Sequence, residues 1–222
     1  MKKIVKLIGA IIVIVLGILI VNTLRLSSKQ VTPDTLESVT LPNDIFQNLS
    51  KAIQYPTISF NEDAIPDSTA FFGFHRFLEE TFPLTHAKLS LEKINDYSLL
   101  YTWKGSDPSK KPIILMSHQD VVPVDEPTLG DWEAGPFEGK ITSSDVLGRG
   151  TLDDKGTLIG LLEAVELLLE ESYQPTRTIY LASGHDEEVG GANGASAIAT
   201  HLKAKGIHAA MTLDEGGFIA ED

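Results

Sequence analysis

From Tyr97 onward the sequence alternates short apolar runs of β-like composition with longer segments of helical spacing, and this alternation limits the folds open to the chain. The predicted strands are YSLLYTW (97–103), KPIILMSH (111–118), TRTIYLAS (176–183) and the start of IHAAMTLDEGG (207–217). The predicted helices are 43–54, 70–81, 156–171 and 194–206. Such alternation is typical of α/β folds with a mostly parallel sheet and flanking helices.

A different kind of segment precedes this pattern. Three lysines within the first six residues stand before an unbroken apolar run, residues 7–21. The run is apolar on all sides and slightly short for a membrane-spanning helix. No good small-residue cleavage signal follows, so residues 1–26 are predicted to be an uncleaved signal anchor; a cleaved signal peptide on a secreted protein is the alternative. The lysines place the rest outside the cytoplasm, extracytoplasmic or lumenal. Residues 27–42 are polar and predict a linker.

Charge and cysteine content exclude several functional classes. The formal net charge of the 222 residues is −13, which disfavours nucleic-acid binding because phosphates need a basic surface. The chain has no cysteine, so disulfides, thiolate zinc sites and a cysteine nucleophile are excluded. An acidic excess has two explanations, either solubility or carboxylates gathered to hold cations.

Polar residues cluster at four places, each of which falls at or just after a predicted strand end. The clusters are His118 with Asp120, Asp153 with Asp154, Glu187 with Glu188, and Asp214 with Glu215. Each alone has an ordinary explanation as a surface hydrogen-bonded pair, a helix N-cap or a charged turn. Because the carboxyl ends of parallel strands meet at one edge of a sheet, the four together predict a functional site.

The residue types in these clusters favour a metal site. One histidine with carboxylates and no thiol suits zinc, cobalt or manganese. Asp120, two residues after His118, can accept the second imidazole N–H and orient the ring. One carboxylate can bridge two metals about 3.5–4 Å apart, as in two-metal hydrolases. Of two adjacent acids on a turn, one can ligate while the other transfers protons.

Four motifs, SHQDVVPV, GRGTLDDKG, GHDEEVGG and TLDEGG, resemble in order and spacing those of the di-zinc aminoacylase/carboxypeptidase family, metallopeptidase family 20. The resemblance covers roughly residues 43–222 and is greatest to the carboxypeptidase S and N-acyl-amino-acid hydrolase branch. It implies a zinc-peptidase-like catalytic domain. The residue roles that it implies are these: His118 and Asp214 ligate one metal, Asp153 bridges both metals, Glu188 ligates the second, Glu187 is the general base and Asp120 orients His118. Three further residues would have local roles: Asp154 as a helix-start acid, His185 as a hydrogen-bonding residue and Asp186 as a residue that shapes the turn.

The resemblance implies a hydrolase that cleaves the amide bond next to a C-terminal amino acid in small peptides, through a zinc-activated water. A complete site would hold two Zn²⁺, with Co²⁺ or Mn²⁺ as alternatives. An N-acyl-amino-acid deacylase or a dipeptidase of the same family is one alternative function. A non-catalytic, membrane-anchored metal-binding module is another, although a base such as Glu187 has no use there.

Two parts of the family pattern are missing from the sequence. The family's second metal takes a histidine from near the C-terminus, and a lid domain that usually forms a homodimer follows the DEGG motif. His201 and His208 precede Asp214 and do not match the missing ligand. Residues 43–222 are therefore expected to be the N-terminal part of the catalytic domain, and to be inactive alone.

Overall fold

A computed structural model of the chain describes residues 2–26 and 44–215. These belong to two compact units, divided between Thr40 and Leu41. The predicted linker, residues 27–42, lies outside the described residues.

The N-terminal unit is one helix, α1 (Lys2–Leu24), whose described side chains are all exposed. Its 23 residues give a length of about 34 Å at a rise of about 1.5 Å per residue. This exceeds the roughly 30 Å hydrocarbon core of a bilayer. The helix is therefore long and apolar enough to cross a membrane, a criterion that signal sequences also meet.

The larger unit contains five helices and seven strands among the described residues. The helices are α2 (Ile45–Ile53), α3 (Ser68–Thr81), α4 (Pro83–Lys88), α5 (Lys155–Glu170) and α6 (Ala195–Ala204). The strands are β1 (Ser90–Ile94), β2 (Ser98–Trp103), β3 (Ile113–His118), β4 (Lys140–Ile141), β5 (Val146–Leu147), β6 (Ile179–Gly184) and β7 (Met211–Leu213). Two 3₁₀ turns, Glu126–Asp131 and Glu187–Val189, complete the regular structure.

Five strands form the main sheet in the order β1-β2-β6-β3-β7. β3 is parallel to both β6 and β7, whereas β2 is antiparallel to both β1 and β6. Four of the five strands therefore run in one direction, and the predicted mostly parallel sheet is confirmed. β4 and β5 form a separate two-stranded sheet.

Helices cover both faces of the main sheet, because alternate strand residues point to opposite sides. On one face Leu99, Tyr101 and Leu181 pack with apolar residues of α2, α3 and α5 and with Phe82 and Leu89, which flank α4. On the other face Leu100 and Ala182 pack with Ile198 and Leu202 of α6. The result is a three-layer arrangement that exposes the carboxyl ends of β3, β6 and β7 at one edge.

The structure differs from the predicted elements in several places, among them the two-stranded sheet of β4 and β5, which was not predicted. α4 and β1 follow the predicted helix 70–81 and were not predicted. Pro83 begins α4, since proline is favoured at the first helical position. β7 begins at Met211 rather than near Ile207. Asp153 was predicted to lie just after the end of a strand in the main sheet. It lies instead in the turn between β5 and α5.

Candidate metal centre

His118 is the last residue of β3 and is held from several sides. Its backbone N–H donates to Asp154 Oδ2 at 3.1 Å, and its Nδ1–H donates to the backbone oxygen of Asp120 at 2.9 Å. Nε2 therefore points towards the acids and donates to Asp153 Oδ1 at 2.8 Å. Burial alone would lower the pKa of His118, but the hydrogen bonds and charges of the neighbouring carboxylates raise it to about 10.

Asp120 lies beneath the centre and is 0% exposed. Its Oδ1 is 3.3 Å from His118 Nδ1. The same carboxylate accepts the backbone N–H of Glu187 on Oδ1 and that of Glu188 on Oδ2, each at 3.1 Å. Burial would raise the pKa of Asp120, but the hydrogen bond and charge of His118 and the other donors lower it. The carboxylate is thus ionised, and each of its oxygens accepts a backbone N–H.

The start of α5 brings two acids to the centre and also carries a buried lysine. The side chain of Asp153 is 64% exposed and faces His118. Asp154 occupies the N-cap position of α5, as predicted, but its side chain does not cap the helix and is buried against the His118 N–H. Lys155 is 0% exposed, and its Nζ donates to two backbone oxygens at the end of α2, those of Ala52 (3.1 Å) and Tyr55 (2.6 Å).

The turn after β6 carries the adjacent acids Glu187 and Glu188. Glu188 Oε1 accepts the N–H of Val122 at 3.2 Å, and burial together with the charge of Asp153 raises the pKa of Glu188. Ligand atoms of His118, Asp153 and Glu188 lie within 4.8 Å of one another. The structure therefore brings together three of the four predicted metal ligands.

Two other residues of the turn have local roles, as predicted. Asp186 shapes it: its Oδ2 accepts the Asn193 N–H at 2.7 Å, and its backbone oxygen accepts the Gly191 N–H at 2.8 Å. His185 Nδ1 is hydrogen-bonded to Ser98 Oγ at 2.7 Å.

The fourth predicted ligand, Asp214, belongs to neither gathered group. Its Oδ1 accepts the N–H of Glu215 at 3.0 Å, whereas Glu215 Oε2 lies 3.7 Å from His118 Nε2. His118, Glu187 and Glu215 form a second group with ligand atoms within 4.8 Å. Both Asp214 and Glu215 line a cavity of about 210 Å³ together with His118 and Glu187. The family resemblance implies Asp214 as the ligand, whereas the structure gathers Glu215 with His118 and Glu187.

The donors present fit a divalent metal. One imidazole nitrogen and several carboxylate oxygens meet without any thiolate, and this set suits zinc and its borderline or harder neighbours. Asp120 also supports His118 from behind, in the manner of a residue that orients a metal-binding histidine. Sequence reasoning placed Glu215 in a cluster with Asp214 but assigned it no role. It did not identify Lys155 or the backbone N–H of Val122, because local motifs do not show which polar groups become buried together.

Comparisons with known proteins identify the family to which the chain is similar. Residues 114–221 match the sequence profile of peptidase family M20/M25/M40. Probable carboxypeptidase S-like 2 from Dictyostelium discoideum is 45% identical over 212 residues, which cover 91% of this chain and 40% of that protein. N-fatty-acyl-amino acid synthase/hydrolase PM20D1 from Bos taurus is 43% identical over 175 residues, covering 78% of this chain and 34% of that protein. The chain thus spans well under half the length of these curated relatives.

A solved structure shares the fold. The M20 family metallo-carboxypeptidase from Sulfolobus solfataricus superposes with a TM-score of 0.61 at 24% sequence identity. The superposition covers 79% of this chain and 38% of that one.

Proposed function

Since the chain contains a domain of peptidase family M20/M25/M40, as its motifs predict, we propose that it works in metal-dependent hydrolysis of an amide bond next to a C-terminal amino acid in small peptides. The observation that carries the proposal is the separation of two adjacent acids around one histidine. Glu188 lies with Asp153 beside His118, and Glu187 lies with Glu215 on the cavity side. A site that only bound one metal ion would not need the two glutamates to lie in separate groups beside His118.

The proposed ligands are His118, Asp153, Glu188 and Asp214, and the proposed metal is zinc, with two ions in a complete site. Zinc ions held by these residues would supply an activated water and would polarise the scissile carbonyl. Glu187, whose side chain is 49% exposed towards the cavity, takes the proton of the attacking water and passes it to the leaving amine. Asp120 holds His118 in the orientation that presents Nε2.

The substrate could instead be an N-acyl amino acid or a dipeptide. The bovine relative is named for hydrolysis of N-fatty-acyl amino acids, and the Dictyostelium relative is named as carboxypeptidase S-like. Both names describe cleavage of an amide on the amino side of an amino acid. A non-catalytic metal-binding module is less well supported, because Glu187 would then have no task.

We further propose that α1 anchors the protein, with the larger unit outside the cytoplasm. The three lysines at its start and the apolar stretch after them support this orientation. From the family resemblance we also propose that the protein forms a homodimer through a lid domain.

Exchanging Glu187 for glutamine separates the role of a base from that of a ligand. In the protein encoded by the whole reading frame that contains these residues, Glu187→Gln is expected to lower hydrolysis of Gly-X dipeptides and N-acyl amino acids by about 10²–10⁴-fold. Its bound zinc, measured by elemental analysis, should stay near the wild-type value. Asp153→Asn and Glu188→Gln should lower the zinc content itself. Wild-type turnover by Glu187→Gln would contradict the proposed function.

A further inference from the structure

We propose that Asp120 is a positioning residue for both acids of the turn: it holds Glu187 and Glu188 in their separate places by binding their two backbone N–H groups. This goes beyond orienting His118. The roles of Glu187 as base and Glu188 as metal ligand rest on the proposed function. The binding of their backbone N–H groups by Asp120 does not.

The geometry is that of one carboxylate joining two distant parts of the chain. Asp120 follows the end of β3, and the turn lies 67 and 68 residues further on. Each carboxylate oxygen accepts one N–H at 3.1 Å, from consecutive residues. The N–H groups open the 3₁₀ turn Glu187–Val189, where no helical acceptor exists for them. Asp120 therefore caps a turn that begins on another strand.

The hydrogen bonds are strong ones for their kind. The acceptor is ionised, and a charged acceptor makes a hydrogen bond about twice as strong as a neutral one. The carboxylate is fully buried, so little water competes for the donors, and the partial positive charge at the start of the turn adds to the attraction.

Local bonds cannot replace this hold. The N–H of Gly190 donates to the backbone oxygen of Glu187 at 2.8 Å, and that of Val189 donates to Asp186 O at 3.3 Å. These bonds fix the shape of the turn but connect it only to itself. Among the described residues, the hydrogen bonds that Asp120 accepts connect the N–H groups of Glu187 and Glu188 to the segment that follows β3.

The hold matters because the two acids have identical side chains. A shift of the turn by one residue would put Glu187 where Glu188 lies, with no change of residue type to oppose it. In the observed register the Glu188 carboxylate reaches the Val122 N–H, and Glu187 faces the cavity. Two backbone N–H groups bound by one carboxylate select this register over its neighbour.

Amide hydrogen exchange, measured by NMR on the metal-free chain, tests the proposal. The amides of Glu187 and Glu188 should exchange at least about 100-fold more slowly than in an unstructured peptide, since exchange requires opening of the hydrogen bond. Asp120→Asn keeps the size of the side chain but turns an N–H₂ group towards one donor. It should lose at least about tenfold of the protection at these two amides, while the β6 core amide of Leu181 changes much less.

His118→Ala is the matched control, because it removes the imidazole but leaves Asp120 and the turn. It should leave the exchange of Glu187 and Glu188 within about twofold of wild type. Unprotected amides in the wild-type chain would overturn the proposal without any variant. Equal loss of protection in His118→Ala would also overturn it, since Asp120 would then act through the imidazole alone. If the exchange results are as expected but the Glu187→Gln protein is active, the proposed function is wrong and the positioning role of Asp120 still stands.

Discussion

Gln119 lies directly behind the metal centre and is 0% exposed. Its Nε2 donates to the backbone oxygens of Tyr97 and Ser183, both at 3.0 Å, and its Oε1 accepts from His75 Nε2 at 2.8 Å. A buried amide that is satisfied in this way fixes the chain between His118 and Asp120, because leaving such a group unpaired costs roughly 1–3 kcal/mol. His75 is its partner and is itself buried.

His75 gives the first prediction at this scale, a loss of stability in mild acid. Burial lowers its pKa to about 4, against a hydrogen bond with Gln119 that raises it, and the charge of Lys93 lowers it further. The unfolded chain therefore binds this proton between pH 6.5 and 4 and the folded chain does not. Stability from this residue is present above pH 6.5 and is lost as the pH falls towards 4.

Urea unfolding at pH 7 and pH 4.5 measures that loss. His75 should account for about 2 kcal/mol of the decrease in the free energy of unfolding. His75→Gln, which can still donate to Gln119, should show a correspondingly smaller decrease, and His208→Gln at an exposed histidine is the matched control. An identical decrease in wild type and His75→Gln would show that His75 carries none of the pH dependence.

Sequence reasoning reached the site residues unevenly at this scale. His118, Asp120, Asp153, Glu187 and Glu188 could be named because their motifs stand next to strand ends or a helix start. The burial of Lys155 could not, because its acceptors are backbone oxygens about a hundred residues earlier. The same limit applies to the hold on the Glu187–Glu188 turn, which depends on tertiary distances rather than on any local pattern.

Among the elements, α4 shows how one helix can be capped by another. Its N-cap residue, Phe82, has no polar side chain, and the Glu166 carboxylate from α5 takes that place. It accepts the N–H groups of Leu84 and Thr85 at 2.8 Å and the Thr85 hydroxyl at 2.7 Å. The sequence could not reveal α4 because its cap comes from a residue 81 or 82 positions away.

Removing this cap should weaken the packing of α4 on α5. Glu166→Ala is expected to lower the free energy of unfolding by about 1–2 kcal/mol, the usual cost of losing an N-cap. Glu170→Ala, on the exposed side of α5, should change stability by less than about 0.5 kcal/mol. Equal effects of the two variants in urea titrations would contradict the assigned cap.

The other elements follow from their sequence patterns to different degrees. The long periodic segments, α3, α5, α6 and the strands β2, β3 and β6, were predicted within a few residues. β1 was missed because it is an edge strand, SLEKI, with two charged residues in five, and partly exposed along its length. β7 is short because only three of its residues reach a partner on β3.

For the whole molecule, α1 predicts association with membranes. The chain should remain in the membrane fraction after carbonate extraction, and a chain lacking residues 2–26 should not. The double variant Val13→Lys and Leu16→Lys should also be released, since each central lysine costs roughly 2.5–3.5 kcal/mol on insertion. Protease added outside intact cells should digest the larger unit. A wild-type chain recovered in the soluble fraction would rule out the anchor.

The order of the strands has a consequence for how the chain is synthesised. β3 is an interior strand of the sheet, between β6 and β7, yet it precedes both in the chain. Its partners are Ile179 for Ile113, 66 residues later, and Leu213 for Leu115, 98 residues later. A nascent chain that has reached α5 therefore carries the apolar run IILM with both edges unpaired. Unpaired edges of this kind pair with other chains and cause aggregation. A ribosome-bound chaperone would therefore protect the chain most between the emergence of β3 and that of β6.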